Sequence, residues 1–282
     1  MSDQTSHPNL AETLAKEMKE PKLLISSDNR DLVALPPGWT HHVDDREKLQ
    51  PQPRRKVAKV KLTETESFID YTKRHGSLAN ATIWCTADFK GGALSFTTIL
   101  NDHGEEENQQ AWRDHRATFV PEKSEEWKRW TEKHGHQFSQ VGFALFLEEN
   151  LKDIISSEGM PTGTQMLEMA LGFEAKQDMR FKSAVRLQSG GVRLEYVEDE
   201  DKNTVTAMQM FEKFQIAIPV FRADEARYPV TARLRYRVKE GALMFWFELI
   251  RSDLVMEQAS RALVEHIKTA AGMPFFFGSP EA

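Results

Sequence analysis

The sequence predicts an α+β protein: a mainly antiparallel sheet of hairpins, with packed flanking helices and a C-terminal helix after the last strand. Three observations carry this. In residues 231–238, Ala232, Leu234, Tyr236 and Val238 alternate strictly with Arg233, Arg235 and Arg237. Successive side chains of a strand point to opposite faces, so this is a strand with one packed face and one cationic face. Residues 243–249 return after a short turn as a nearly unbroken apolar run, as expected of a strand deeper in the sheet. Residues 253–270 then place Leu254, Val255, Ala259, Ala262, Leu263 and Ile267 at helical spacing, before Gly272 and Pro274 stop the helix.

The elements before these follow in order. Leu10, Leu14 and Met18 mark a short amphipathic helix, and two apolar runs follow at 23–25 and 32–35. Pro36-Pro37-Gly38 stops the second run, and charges and prolines over 41–55 make a surface loop or linker. A strand is expected over 57–62. Thr63 and Glu66 have capping-box spacing ahead of a helix that ends near His75-Gly76, with Phe68, Ile69 and Thr72 as its buried stripe. Strands over 81–87 and 93–100 flank the Gly91-Gly92 turn, and an acidic loop follows at 101–107. A strand at 116–120 precedes a short helix over 123–133, with Trp127 and Trp130 on one face. Residues 138–155 read as one or two helices, and another short helix ends near Gly172.

Residues 181–187 and 192–197 form a hairpin around Ser189-Gly190-Gly191. The register that sets Arg186 opposite Glu195 avoids facing Arg186 with Arg193, and is the one expected. Strands over 205–210 and 214–221 come next, with Pro219 marking an edge or bulge. The apolar end Phe275, Phe276 and Phe277 should dock on the core or on a second subunit. The regions are 1–55 (helix, short strands, polar linker), 56–172 (mixed α/β) and 173–282 (antiparallel sheet with C-terminal helix). The last two could equally form one composite domain.

At 282 residues, with 40% hydrophobic and 28% charged residues, the chain is globular in composition and long enough for a substantial core. A formal charge of −6 with mixed signs excludes a general nucleic-acid coat, while leaving room for a local basic face. Cys85 is the only cysteine, which rules out an internal disulfide and a thiolate cluster and fits a reducing compartment. Charges interrupt the N-terminal segment where a signal peptide would be apolar, and no apolar run approaches the ~20 residues of a membrane span. A cytoplasmic protein without membrane contact is expected.

No pattern defines a catalytic site. His134-Gly135-His136 and His41-His42 lack the third and fourth ligands of a zinc site. Asp88-Phe89-Lys90 has the Asp-x-Lys form by which some nucleases hold a metal and approach phosphate, with Asp70 or Glu66 as the further carboxylate. The same residues leading into two glycines also read as an ordinary polar turn. Asp114 and His115 are adjacent on a strand and therefore point apart, so they do not form a relay. Cys85 sits among strand residues, where a small buried side chain is the default. Phosphate loops and dinucleotide fingerprints are missing, so neither a cofactor nor a metal is expected. Arg233, Arg235 and Arg237, widened by Arg186 and Arg193, form a contact surface. Their ~6–7 Å repeat could follow a nucleic-acid backbone, but pairing with carboxylates or with a protein is the favoured use.

The strings Thr63-Glu-Thr-Glu-Ser-Phe-Ile69, Trp112-Arg-Asp-His-Arg-Ala117, Phe143-Ala-Leu-Phe-Leu-Glu-Glu-Asn150, Phe181-Lys-Ser183 and Ala232-Arg-Leu-Arg-Tyr-Arg237 occur in this order. Together they resemble the YfdQ-like family of uncharacterised bacteriophage and prophage proteins, over about residues 25–278. The resemblance implies a phage or prophage origin and action in a bacterial host, and supplies no catalytic residues. The expected function is therefore non-enzymatic: a self-associating, homo-oligomeric protein that binds a host or phage protein and counters host defence. The alternative is a nucleic-acid-binding or metal-dependent nuclease-like protein of phage recombination or replication.

Overall fold

The computed structural model describes residues 22–27, 30–36, 38, 51–104, 109–172, 180–186, 191–197, 205–222, 224–239 and 242–280. The chain divides into two compact units, Met1–Lys56 and Val57–Ala282. In the first, β1 (Lys22–Ser27) and β2 (Arg30–Ala34) pair as an antiparallel hairpin. The helix expected around Leu10–Met18 and the His41-His42 pair lie outside the described residues.

The second unit begins with β3 (Ala58–Leu62), α1 (Thr65–His75), β4 (Thr82–Asp88), β5 (Ala93–Ile99) and β6 (His115–Phe119). It continues through α2 (Glu125–Glu132), β7 (Phe138–Ser139), α3 (Gln140–Glu149), a 3-10 turn (Leu151–Asp153), β8 (Ile154–Ile155) and α4 (Gly163–Gly172). Next come β9 (Arg180–Arg186), β10 (Gly191–Val197), β11 (Val205–Phe211), β12 (Lys213–Ile218), β13 (Tyr228–Lys239) and β14 (Ala242–Leu249). Last are α5 (Ser252–Ala271) and β15 (Phe275–Phe277). Two sheets have five strands, in the orders β15-β4-β5-β6-β3 and β7-β14-β13-β12-β8, and a third has the order β11-β10-β9.

The fold is mixed α+β, but it corrects the expected end of the chain. A strand, β15, follows the last helix and pairs parallel to β4. Gly272 ends α5 in the left-handed conformation at φ 66°, and the Pro274 carbonyl then accepts the Ile83 N–H at 2.8 Å. The apolar tail gains burial for Phe275 by completing a sheet edge laid down far earlier in the chain, a pairing with no local signature. The first sheet is accordingly mixed, since β3 also runs parallel to β6.

Other departures are local. The Thr63–Glu66 box does not form: Glu64 is the N-cap of α1 without a side-chain bond, and Glu66 instead meets His266 Nε2 at 2.7 Å. Buried Phe68, Ile69 and Thr72 place this helix, so tertiary burial outweighs capping. Residues 138–155 hold one α-helix and a 3-10 turn, with two-residue strands at either end. In the β9–β10 hairpin Arg186 lies opposite Val192, and Glu195 lies opposite Ser183 before a register shift. The preferred Arg186–Glu195 pairing is absent, because backbone register answers to the turn and to the whole strand rather than to one charge pair.

Two aromatic groups hold the second unit. Phe68 of α1 packs on Phe96 of β5 at 6.1 Å and on Phe119 of β6 at 5.7 Å. All three rings are essentially buried, and each is worth roughly 1.5–3 kcal/mol of transfer free energy. Trp130 of α2 meets Phe146, Phe247 and Phe214 at 4.9, 5.2 and 6.0 Å. Ser124 aligns α2 by accepting the Trp127 N–H at 3.0 Å and donating its hydroxyl to the Pro219 carbonyl. The sequence spacing of Trp127 and Trp130 thus becomes a buried face, as expected.

Candidate functional site

The first five-stranded sheet has one packed face and one open face, both dictated by alternation. Ile83, Cys85, Phe96, Ala117 and Phe119 are buried on the face against α1. The intervening residues point the other way. Register aligns Phe276, Trp84, Thr97, Thr118 and Lys61 in one row across the five strands. The next row carries Thr82, Ile99, Arg116 and Lys59, of which Thr82 and Ile99 are buried, so this row is open only toward the lysine edge. With ~4.8 Å between neighbouring strands, the row spans about 19 Å from the ring edge to the lysine edge.

The lysine edge is cationic and hydroxylic. Lys59, Lys61, Arg116, Thr97, Thr118 and Ser279 line a recess of about 410 Å³ together with Val60 and Pro280. Among the described residues no carboxylate lines it and no acidic side chain pairs with Lys59, Lys61 or Arg116. Both lysines are exposed, and the Arg116 Nε donates to the Arg113 carbonyl at 2.8 Å. In a chain of formal charge −6, a recess whose described charged side chains are all positive is a local reversal of the field.

The other edge is aromatic. Trp84, half-buried, lies 5.5 Å from the Phe276 ring with the planes inclined at 36°, and Phe276 remains 52% exposed. The Trp84 Nε1 is shielded yet has no hydrogen-bond partner, a defect that costs about 1–3 kcal/mol in a settled core. Gly278 permits the chain to turn across this indole. Its φ is 145°, its N–H is donated to the Cys85 carbonyl at 2.8 Å, and an added Cβ would touch the Trp84 ring. Phe277, 63% exposed, packs on Phe89 at 6.1 Å, and Arg261 lies 4.4 Å above the Phe89 ring.

The residues singled out from the sequence are dispersed. Asp88 ends β4 and its Oδ1 accepts the Gly91 N–H at 3.0 Å, as a turn-forming aspartate does. Asp70 is exposed on α1, Lys90 follows Asp88 in the turn, and among the described residues no three His, Cys, Asp or Glu side chains converge as a metal cluster. On β13, Arg233 and Arg235 approach the same Glu248 carboxylate at 3.8 and 3.5 Å, while Arg237 donates to Gln137 Oε1 at 2.8 Å. Arg186 and Arg193 belong to β9 and β10, in a different sheet from the three β13 arginines. His134 Nδ1 accepts the Leu249 N–H at 2.9 Å, and His136 sits edge-on to Phe138. Asp114 accepts from Asn101 whereas His115 meets Tyr71, so the two point apart. Cys85 is buried, and burial pushes its thiol up to about 11, which keeps it protonated and unreactive at neutral pH.

Sequence reasoning passed over Lys59, Lys61, Arg116, Thr97, Thr118 and Trp84. The available signal was the same one read in the arginine strand: Lys59-Val60-Lys61-Leu62 and Ile83-Trp84-Cys85-Thr86 alternate polar or amphipathic side chains with apolar ones. Their assembly on one face depends on a strand order that local pattern does not carry.

No helix among the described residues is long and apolar enough to cross a membrane. No curated protein and no solved structure matches the chain. One family does, described as an uncharacterized conserved protein family, and the match runs over residues 4–280. The chain belongs to that family, DUF2303.

Proposed function

We propose that this protein acts by binding rather than by catalysis, and that its ligand is nucleic acid held on the open face of the first sheet. The supporting observation is the cationic recess of Lys59, Lys61 and Arg116, whose described lining residues include hydroxyls and no carboxylate. Nucleic-acid backbones present regularly spaced anions, and displacement of their counterions rewards such a surface. The β13 arginines are a weaker basis, since Glu248 partly neutralises Arg233 and Arg235. A place in recombination or replication inside the bacterial cytosol accords with the YfdQ-like phage or prophage affiliation that the ordered sequence strings imply.

The test is fluorescence anisotropy with a labelled oligonucleotide carrying both a duplex and a single-stranded arm. Wild type should bind at low salt. The variant Lys59→Ala/Lys61→Ala/Arg116→Ala should bind more weakly, its log–log salt slope shallower by ~0.7–0.9 for each phosphate contact removed. Absence of wild-type binding at low salt, or unchanged binding by the triple variant, overturns the proposal.

Self-association is a second reading, favoured by the position of β15. It is an edge strand with Phe276 and Phe277 exposed, and such an edge can accept a strand from a second copy. Solution mass by light scattering should then exceed that of the monomer and fall to it in Phe277→Glu; a monomeric wild type rejects this reading. Binding of a host or phage protein, including a factor of host defence, would use the same exposed edge.

A further inference from the structure

The recess and the aromatic edge occupy the same sheet face, and their separation has chemical content. We infer that the ligand is a single-stranded nucleic acid laid across the strands, with an unpaired base on the Phe276–Trp84 edge and phosphates at the Lys59–Arg116 recess. This rests on the nucleic-acid reading above and adds the class of strand and its placement.

Register supports it first. Phe276, Trp84 and Lys61 belong to one row, so a ligand following it meets rings at one end and positive charge at the other, with Gly278 against the indole and Ser279 and Pro280 at the wall of the recess. The ~19 Å between these ends follows from four strand spacings. A few nucleotides of an extended single strand cross this distance. Thr97 and Thr118 lie between the ends; the Thr97 hydroxyl can meet an intervening phosphate or sugar, while that of Thr118 donates to the Val60 carbonyl at 3.5 Å and would have to turn from it.

Ring exposure supports it second. A phenylalanine at 52% exposure in a formed strand gives up burial that an inward residue would gain, whereas a base can stack on it. Duplex bases are already stacked and paired, so their faces are closed to a ring lying flat on a sheet. A surface that served the phosphate backbone alone would gain nothing from Phe276 or from the indole beneath it.

The experiment compares three labelled or competing probes on the full chain: oligothymidylate, a duplex of equal length, and inorganic polyphosphate. The expected order is oligothymidylate tightest. Phe276→Ala and Phe276→Leu should each weaken oligothymidylate by roughly five- to a hundredfold, the range for loss of one stacked base, without changing the salt slope. Phe276→Leu keeps apolar bulk in the exposed strand, so loss there reports the ring rather than the fold, and thermal melting verifies that both variants remain folded. Polyphosphate binding should be unaffected by either variant and reduced by Lys61→Ala. Duplex binding as tight as oligothymidylate, or undiminished oligothymidylate binding by both Phe276 variants, overturns this inference while leaving the broader nucleic-acid reading intact. Failure of all three probes at low salt overturns both.

Discussion

At the scale of single residues, environment rather than residue type decides chemistry. Cys85 occurs as the sole thiol, yet its place on the packed face of β4 removes it from nucleophilic work. Burial disfavours the thiolate, so its pKa rises from 9.0 in the open chain to about 11 in the fold. Between these pH values the unfolded state has released the proton and the folded state has kept it, so stability falls as pH rises. Urea unfolding of wild type should therefore lose stability across about pH 9 to 11 relative to Cys85→Ala, which lacks the titration. Parallel pH curves for the two proteins would contradict the assignment. Gly92 is another residue set by its surroundings. Its φ of 68° and the closeness of the buried Met256 side chain both exclude a Cβ, so the turn after Asp88 is shaped by backbone need. In this turn Asp88 accepts the Gly91 N–H at 3.0 Å.

At the scale of elements, partners distant in sequence determine what local preferences leave open. The 3-10 turn at Leu151–Asp153 ends on a fully buried carboxylate. Asp153 accepts from the Trp130 indole at 3.0 Å and pairs with Arg227 at 2.9 Å. The guanidinium is 44% exposed while the carboxylate is sealed, so the two partners are not equivalent. Removing Arg227 strands a buried charge, whereas removing the charge of Asp153 leaves an arginine that can turn to water. Arg227→Ala should cost about 3 kcal/mol, and adding Asp153→Asn should recover more than ~1 kcal/mol of it. Chemical denaturation of the single and double variants measures this; a double variant less stable than Arg227→Ala would refute the argument. The same logic governs β15 and α1. A capping box reads plausibly at Thr63–Glu66, but the buried stripe of α1 decides where the helix sits. A phenylalanine-rich tail reads as something that docks, but only the vacant side of β4 makes it a strand.

At the scale of the molecule, every residue of the open sheet face lies within Val57–Ala282. Limited trypsinolysis at Arg54, Arg55 or Lys56 should release a fragment that still unfolds cooperatively and binds oligonucleotide with affinity close to that of the full chain. A fragment that precipitates or loses binding would mean that the preceding unit contributes to the site. Phe275 pairs with Ile83, and Ser124 bonds Pro219, so the middle and C-terminal stretches interleave.

The sequence by itself determined which residues could share a face and which segments could be strands or helices. Period-two alternation in Lys59–Leu62 and in the arginine strand, and helical spacing in α5, are properties of adjacent residues and need no partner. It also determined that Trp127 and Trp130 would share one helix face, since one helical turn aligns them, and the fold buries that face. Tertiary structure alone decided strand order, the parallel placement of β15, and the gathering of Lys59, Arg116, Trp84 and Phe276 on one surface. The reason is physical: a strand satisfies its backbone donors and acceptors with whichever edge the folded chain brings alongside. That choice rests on the burial of the entire core, which no local window contains.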